Sequence, residues 1–155
     1  MTLCYVAMPD TDAERLRQGA RDAYGNLPER HISDGMDVPC RHCLRNVEEG
    51  QAYLIFAYRP FSSAQPYAET GPIFLHADAC PSPDGSLLPP ILTSSKDYLL
   101  RGYSADERIV YGTGGVVAAQ MLEHRAEELL ARPDVATVHV RSAKNNCYQC
   151  RIETA

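Results

Sequence analysis

Two pairs of soft metal ligands stand far apart in this chain, and any fold that uses them together is tightly constrained. Cys40 and Cys43 form a C-x-x-C within Pro39-Cys40-Arg41-His42-Cys43-Leu44. His76 and Cys80 form an H-x-x-x-C within Phe74-Leu75-His76-Ala77-Asp78-Ala79-Cys80. Zinc takes four tetrahedral sulfur and nitrogen ligands, and a C-x-x-C in a turn offers two sulfurs to one ion. If Cys40, Cys43, His76 and Cys80 serve one zinc, the chain between them must leave and return to the same point. A β-rich run over 51–58, with Tyr53, Ile55 and Phe56, and the loop behind it can span that gap. The competing reading makes these cysteines ordinary buried thiols, since free Cys is among the most buried residue types.

Length and charge narrow the alternatives. A chain of 155 residues is expected to form one domain, 1–155, large enough to have a core without help from a metal or disulfide. The formal net charge is −5 and no segment concentrates Lys and Arg, which argues against a nucleic-acid partner. Apolar runs are too short for a membrane span, and Met1-Thr2-Leu3-Cys4-Tyr5-Val6 lacks the basic start and long apolar stretch of a signal peptide. The expected location is cytoplasmic, where thiols stay reduced. The six cysteines then read as free thiols, a metal site or a redox pair before they read as a disulfide framework.

Hydrophobic periodicity gives a coarse order of elements. A strand is expected over 3–8, then a capping box at Thr11 and Glu14 and a helix over about 12–24 carrying Ala13, Leu16, Ala20, Ala23 and Tyr24. Residues 25–39 and 60–72 read as loops, and 51–58 and 73–76 as strands. The prolines of 81–90 exclude a regular element there. Further strands are expected over 98–103 and 108–111. Gly112-Thr113-Gly114-Gly115 reads as a tight turn opening a helix over about 115–131, with Val117, Met121, Leu122, Leu129 and Leu130 on its apolar face. Strands over 135–141 and 148–153 flank a turn at Ala143-Lys144-Asn145-Asn146, where Asn tolerates positive φ. The fold class is α+β: a mostly antiparallel sheet of about six short strands, two helices and a C-terminal β-hairpin.

Several segments carry a likeness. They are Pro39 to Leu44, the run Pro66-Tyr67-Ala68-Glu69-Thr70-Gly71-Pro72-Ile73-Phe74-Leu75-His76-Ala77 with Cys80, Leu100-Arg101-Gly102-Tyr103, and Val138-His139-Val140-Arg141-Ser142-Ala143 with Cys147-Tyr148. In order and spacing they resemble the bacterial "domain of unknown function 1203" family, from about residue 38 to the C-terminus. The resemblance implies a stand-alone bacterial protein of about this length and brings no activity, substrate or cofactor. Cys4 and Cys150 lie outside the family's pattern.

Function must therefore be argued from chemistry. Besides the zinc candidates, His42, Tyr67, Glu69, His76, Arg101, Tyr103, His139 and Arg141 fall in turns or at strand ends and are expected to line a polar pocket. Arg101 and Arg141 can grip a carboxylate or phosphate, Tyr67 and Tyr103 can bind beside them, and Glu69, His42 or His139 can act as acid or base. The alternative is a set of internal hydrogen bonds. Cys147 is a candidate nucleophile, but a four-residue hairpin loop sets His139 opposite Cys150, and a two-residue turn sets Cys147 opposite Lys144. Neither register makes a Cys147–His139 pair, which leaves His42 or His76 as base. Cys147 and Cys150 on one strand would face opposite ways, against a dithiol. The leading expectation is a pocket for a small anionic ligand, organised by a Cys3His zinc site. The alternatives are a small enzyme using Cys147 or a Glu69/His acid–base group, and a protein-interaction module using the Pro-rich stretch 81–90.

Overall fold

Alternation in the C-terminal third builds the larger of two sheets. Along β7 (Thr137–Ser142), Val138 and Val140 enter a hydrophobic core while His139 and Arg141 face the other way, as the two-residue period of a strand requires. β7 pairs antiparallel with β8 (Tyr148–Thr154) and with β5 (Asp97–Tyr103). The edges are β1 (Leu3–Val6), beside β8, and β6 (Gly115–Ala118), beside β5. The five strands lie in the order β1-β8-β7-β5-β6. α2 (Leu122–Leu130) closes their core with Leu122, Ala126 and Leu129, one helical face at i, i+4 and i+7.

A second, three-stranded sheet runs β2-β3-β4, with β2 at Glu29–Ile32, β3 at Ala52–Tyr58 and β4 at Gly71–His76, all antiparallel. Its core is smaller: Leu54, Phe56, Ile73 and Leu75 pack with Val38, Val47, Cys40 and Cys43, and with Ala13 and Leu16 of α1 (Asp10–Arg17). The two halves meet through an aromatic and polar layer. The Tyr58 and Tyr148 rings lie 6.4 Å apart, and Arg41 Nε donates to the Tyr148 carbonyl at 2.7 Å.

The computed structural model describes all residues 1–155, and the architecture is the expected α+β with a C-terminal hairpin, in eight strands rather than about six. Several boundaries differ. The first helix starts at Asp10 with Pro9 at its N-cap, so Thr11 sits inside the first turn and no side chain caps the end. The Pro9 carbonyl instead accepts from the amides of Asp12 and Ala13, both at 3.1 Å. The helix stops at Gly19 (φ +89°), where Gly19 N donates to Leu16 O and Ala20 N to Arg15 O, a Schellman closure that precedes the expected stop at Gly25. β2 forms inside the expected loop 25–39. The expected strand over 108–111 is an irregular return. The Thr113 hydroxyl accepts the Gly102 amide at 2.9 Å in place of a neighbouring strand, and 108–111 keeps only a single bridge, Ile109 to Tyr103. The space at Gly102 is tight enough that a Cβ would lie 3.1 Å from the Thr113 hydroxyl.

The expected helix over 115–131 begins only at Leu122, because Val116 and Val117 pair with Leu99 and Tyr98 as β6. β-branched residues prefer that pleated edge. Met121 consequently lies outside the helix and is exposed. In the hairpin, Arg141 pairs with Tyr148 but Val140 pairs with Cys150. The four-residue-loop register thus holds as far as Arg141 and Tyr148, and the bulge at Gln149 then moves His139 from Cys150 to Arg151.

Candidate metal centre

The C-x-x-C turn is shaped by its own backbone. Cys40 N donates to Arg45 O, and Leu44 N to Cys40 O, both at 2.9 Å, with Leu44 in the left-handed region at φ +59°. The turn is docked on β4, since Arg41 N donates to Phe74 O at 3.0 Å. That contact carries Cys40 and Cys43 to the strand end where His76 sits. Arg17 of α1 holds the other side: its Nε donates to the His76 carbonyl and its Nη2 to Cys80 Sγ, each at 3.0 Å.

The outcome is a cluster of four ligand atoms, from Cys40, Cys43, His76 and Cys80, all within 4.8 Å of one another. Cys40 Sγ and Cys80 Sγ are 3.8 Å apart, and Cys43 Sγ lies 3.4 Å from His76 Nδ1. A tetrahedron with zinc–sulfur bonds of about 2.3 Å and a zinc–nitrogen bond of about 2.0–2.1 Å has S···S edges of about 3.8 Å and S···N edges of about 3.6 Å. These two edges therefore match those of a zinc site, and the others lie within 4.8 Å. Its electrostatics point the same way. The Cys40 thiol is pulled well below its ordinary range because Cys43 and Cys80 donate hydrogen bonds to it, helped by the backbone amides of Cys43 and His76. Cys43 and Cys80 are pushed up because their protons are held toward Cys40. Three thiols sharing protons in a small space is the arrangement a divalent cation relieves, because the ion deprotonates all of them.

An outer layer orients Cys80. His42, buried, places Nδ1 3.1 Å from Cys80 Sγ and Nε2 2.7 Å from Asp10 Oδ1. This carboxylate–imidazole–sulfur chain resembles the outer partners that orient metal ligands. His42 thus belongs to the surroundings of the cysteine cluster and not to the polar pocket. Sequence reasoning missed Asp10 and Arg17. No local signal marks them, because α1 reaches the cluster only through the tertiary fold.

The polar pocket lies between the sheets. Glu69 Oε1 accepts from Arg101 Nη1 at 2.6 Å, and Glu69 Oε2 is 3.5 Å from Arg141 Nη1. Arg101 Nη1 also reaches the Tyr103 hydroxyl at 3.2 Å, and Arg141 Nη1 donates to the Asn146 carbonyl at 3.1 Å. Glu69, Arg101, Tyr103 and Arg141 are therefore brought together. Tyr67 is not among them: its hydroxyl meets that of Tyr111 at 3.0 Å, and Arg108 lies over its ring. His139 is buried among Tyr103, Phe61 and Tyr148, with ring centroids 4.2, 5.1 and 5.1 Å away. Burial, reinforced by Arg141, pulls its imidazole down to about 3, so it is held neutral at ordinary pH. Cys147 is half-buried at the rim of a cavity of about 230 Å³ that Glu69, Arg141 and Tyr148 also line. Its sulfur meets the Asn145 carbonyl at 3.8 Å and has no histidine within hydrogen-bond distance. Cys150 lies in the large core, where burial pushes its thiol up to about 12.

Fold and cluster define a class: an α+β protein of two antiparallel sheets, with a Cys3His group able to hold a metal ion beside the smaller one. The family model described as "Protein of unknown function (DUF1203)" matches residues 37–154, and the chain belongs to that family. No curated protein and no solved structure matches it. No helix is long and apolar enough to cross a membrane.

Proposed function

We propose that this is a zinc-binding protein in which the ion fastens the loops of the smaller sheet, and that the polar cavity between the sheets receives a small anionic ligand. The convergence of Cys40, Cys43, His76 and Cys80 within 4.8 Å carries the reading. The tetrahedral edge lengths and the outer contacts of Cys80 with His42 and Arg17 support it. Four protein ligands make the site closed, which favours a structural over a catalytic ion. Six free cysteines suit a reducing, cytoplasmic setting. Catalysis through Cys147 has less support, because no histidine reaches it. The interaction-module reading also has less, because the Pro-rich segment 81–90 is tied within the chain at Gly85, whose O accepts the Tyr5 amide at 2.9 Å.

The test is the metal content of tag-free protein by elemental analysis, with thiols titrated before and after chelation. About one zinc per chain is expected, with three thiols becoming reactive only on chelation. Protein that holds no metal and takes up no zinc sinks the proposal.

A further inference from the structure

Arg141 is 4 % exposed, and its Nε and Nη2 are both buried without any hydrogen-bond acceptor. These are not two scattered atoms. Nε and Nη2 form one straight edge of the guanidinium, the edge that presents two parallel N–H bonds to a planar anion. Arg141 Nη1, at the other end, is already used by the Asn146 carbonyl and the outer oxygen of Glu69. Tyr148 covers the face of the group, with its ring centroid 5.9 Å from Cζ, but a stacked ring satisfies a face and leaves the edge bare. A buried cationic edge with no acceptor is expensive to keep unless something fills it.

Arg141 also forms part of the wall of the cavity of about 230 Å³, which Glu69, Asn146, Cys147, Tyr58 and Ile73 line as well. Charge then selects the ligand. Two guanidiniums, Arg101 and Arg141, face the single carboxylate of Glu69, which leaves one positive charge. The free edge supplies two donors. A carboxylate matches both numbers, with one negative charge and two coplanar acceptors. A phosphoryl dianion brings excess charge toward Glu69 and more acceptors than the edge can serve.

We propose that this cavity binds a small monocarboxylate held by the guanidinium of Arg141, whose Nε/Nη2 edge, closed to solvent here, turns toward the cavity to receive it. The proposal rests on the anion-pocket reading above and is independent of the zinc. Nothing covalent is required, so Cys147 is a wall residue of the site and not a participant.

The experiment is a titration of the full metal-loaded chain with sodium propionate, and separately with inorganic phosphate at matched ionic strength, followed by the arginine Nε–H resonances in NMR. Propionate is expected to shift the Arg141 resonance saturably. Arg141→Lys is expected to weaken binding at least about tenfold, because an ammonium keeps the charge and loses the fork. Because Arg141 is buried, the wild-type resonance shift stands as the primary readout, and it decides the matter even if the variant fails to fold. A saturable response to phosphate with none to propionate overturns the ligand class while leaving an anion pocket. No response to either anion through the millimolar range overturns both the pocket and this assignment.

Discussion

The two sheets are stabilised by different means. The five-stranded sheet buries fifteen apolar residues, among them Leu100, Leu122, Val138 and Ile152, under a covering helix. The three-stranded sheet rests on eleven, and two of those are Cys40 and Cys43. Its third strand ends at His76, and its outer strand β2 is exposed along its length. The larger half relies on apolar burial, whereas in the smaller four residues able to ligate a metal converge where its loops meet. A metal ion and a hydrophobic core are alternative ways to offset chain entropy, and on the zinc proposal this protein uses one in each half.

If the cluster holds zinc, removing the ion should separate the two halves most sharply. Structural zinc contributes about 10–16 kcal/mol to small zinc fingers, and a smaller but still large effect is expected where part of a core remains. Chelation should raise hydrogen exchange in β2, β3 and β4 while β5, β7 and β8 stay protected. A uniform rise across both sheets would show that the halves do not differ in this way. Leu100→Ala, at a site of zero exposure in the larger core, should cost about 2–5 kcal/mol by denaturant titration, equally with and without chelator. Dependence of that cost on the metal would join the two halves into one unit.

Acid probes the layer between them. His139 is held neutral, with its titration depressed to about 3, while in the unfolded chain it titrates near its ordinary value of about 6.5. Below that value the unfolded state binds a proton that the native state refuses. Stability contributed by neutral burial is therefore complete above about pH 6.5 and lost as pH falls toward 3, at up to about 1.4 kcal/mol per pH unit. A His139→Gln variant should show a flatter acid limb in denaturant titrations. An unchanged limb would assign acid sensitivity to other groups. The smallest effect expected is from His42→Ala, which should weaken zinc by about 10- to 100-fold in a competition with a chelating dye and leave the larger sheet untouched.

The parts of this structure that sequence makes legible are those set by local pattern. Alternation along 137–142 and the Asn-rich turn place the hairpin, and the ligand spacing points to Cys40, Cys43, His76 and Cys80. What is illegible depends on partners far along the chain. Val116 and Val117 fit a helical face as well as a strand until β5 offers them an edge. The bulge at Gln149 is one extra residue with no signature of its own, yet it moves His139 from Cys150 to Arg151. Asp10 and Arg17 reach the cysteine cluster only because α1 packs there. His139 reads as a polar candidate by type, and only its three aromatic neighbours reveal a core imidazole.

Cys80 and Gly85 are five positions apart, and Pro81 and Pro83 lie between them. At Gly85 the chain runs against the outer side of β1 so closely that a Cβ would lie 2.8 Å from the Tyr5 carbonyl. An open strand edge is a template for strands of other molecules, and here the Gly85 carbonyl occupies the outward Tyr5 amide of that edge. The cysteine cluster therefore anchors one end of a guard rail. If Cys80 comes loose, the rail slackens and the edge of the larger sheet is laid open. Loss of the ion would then be felt first as a colloidal problem, visible as light scattering that rises with concentration while β5, β7 and β8 are still folded.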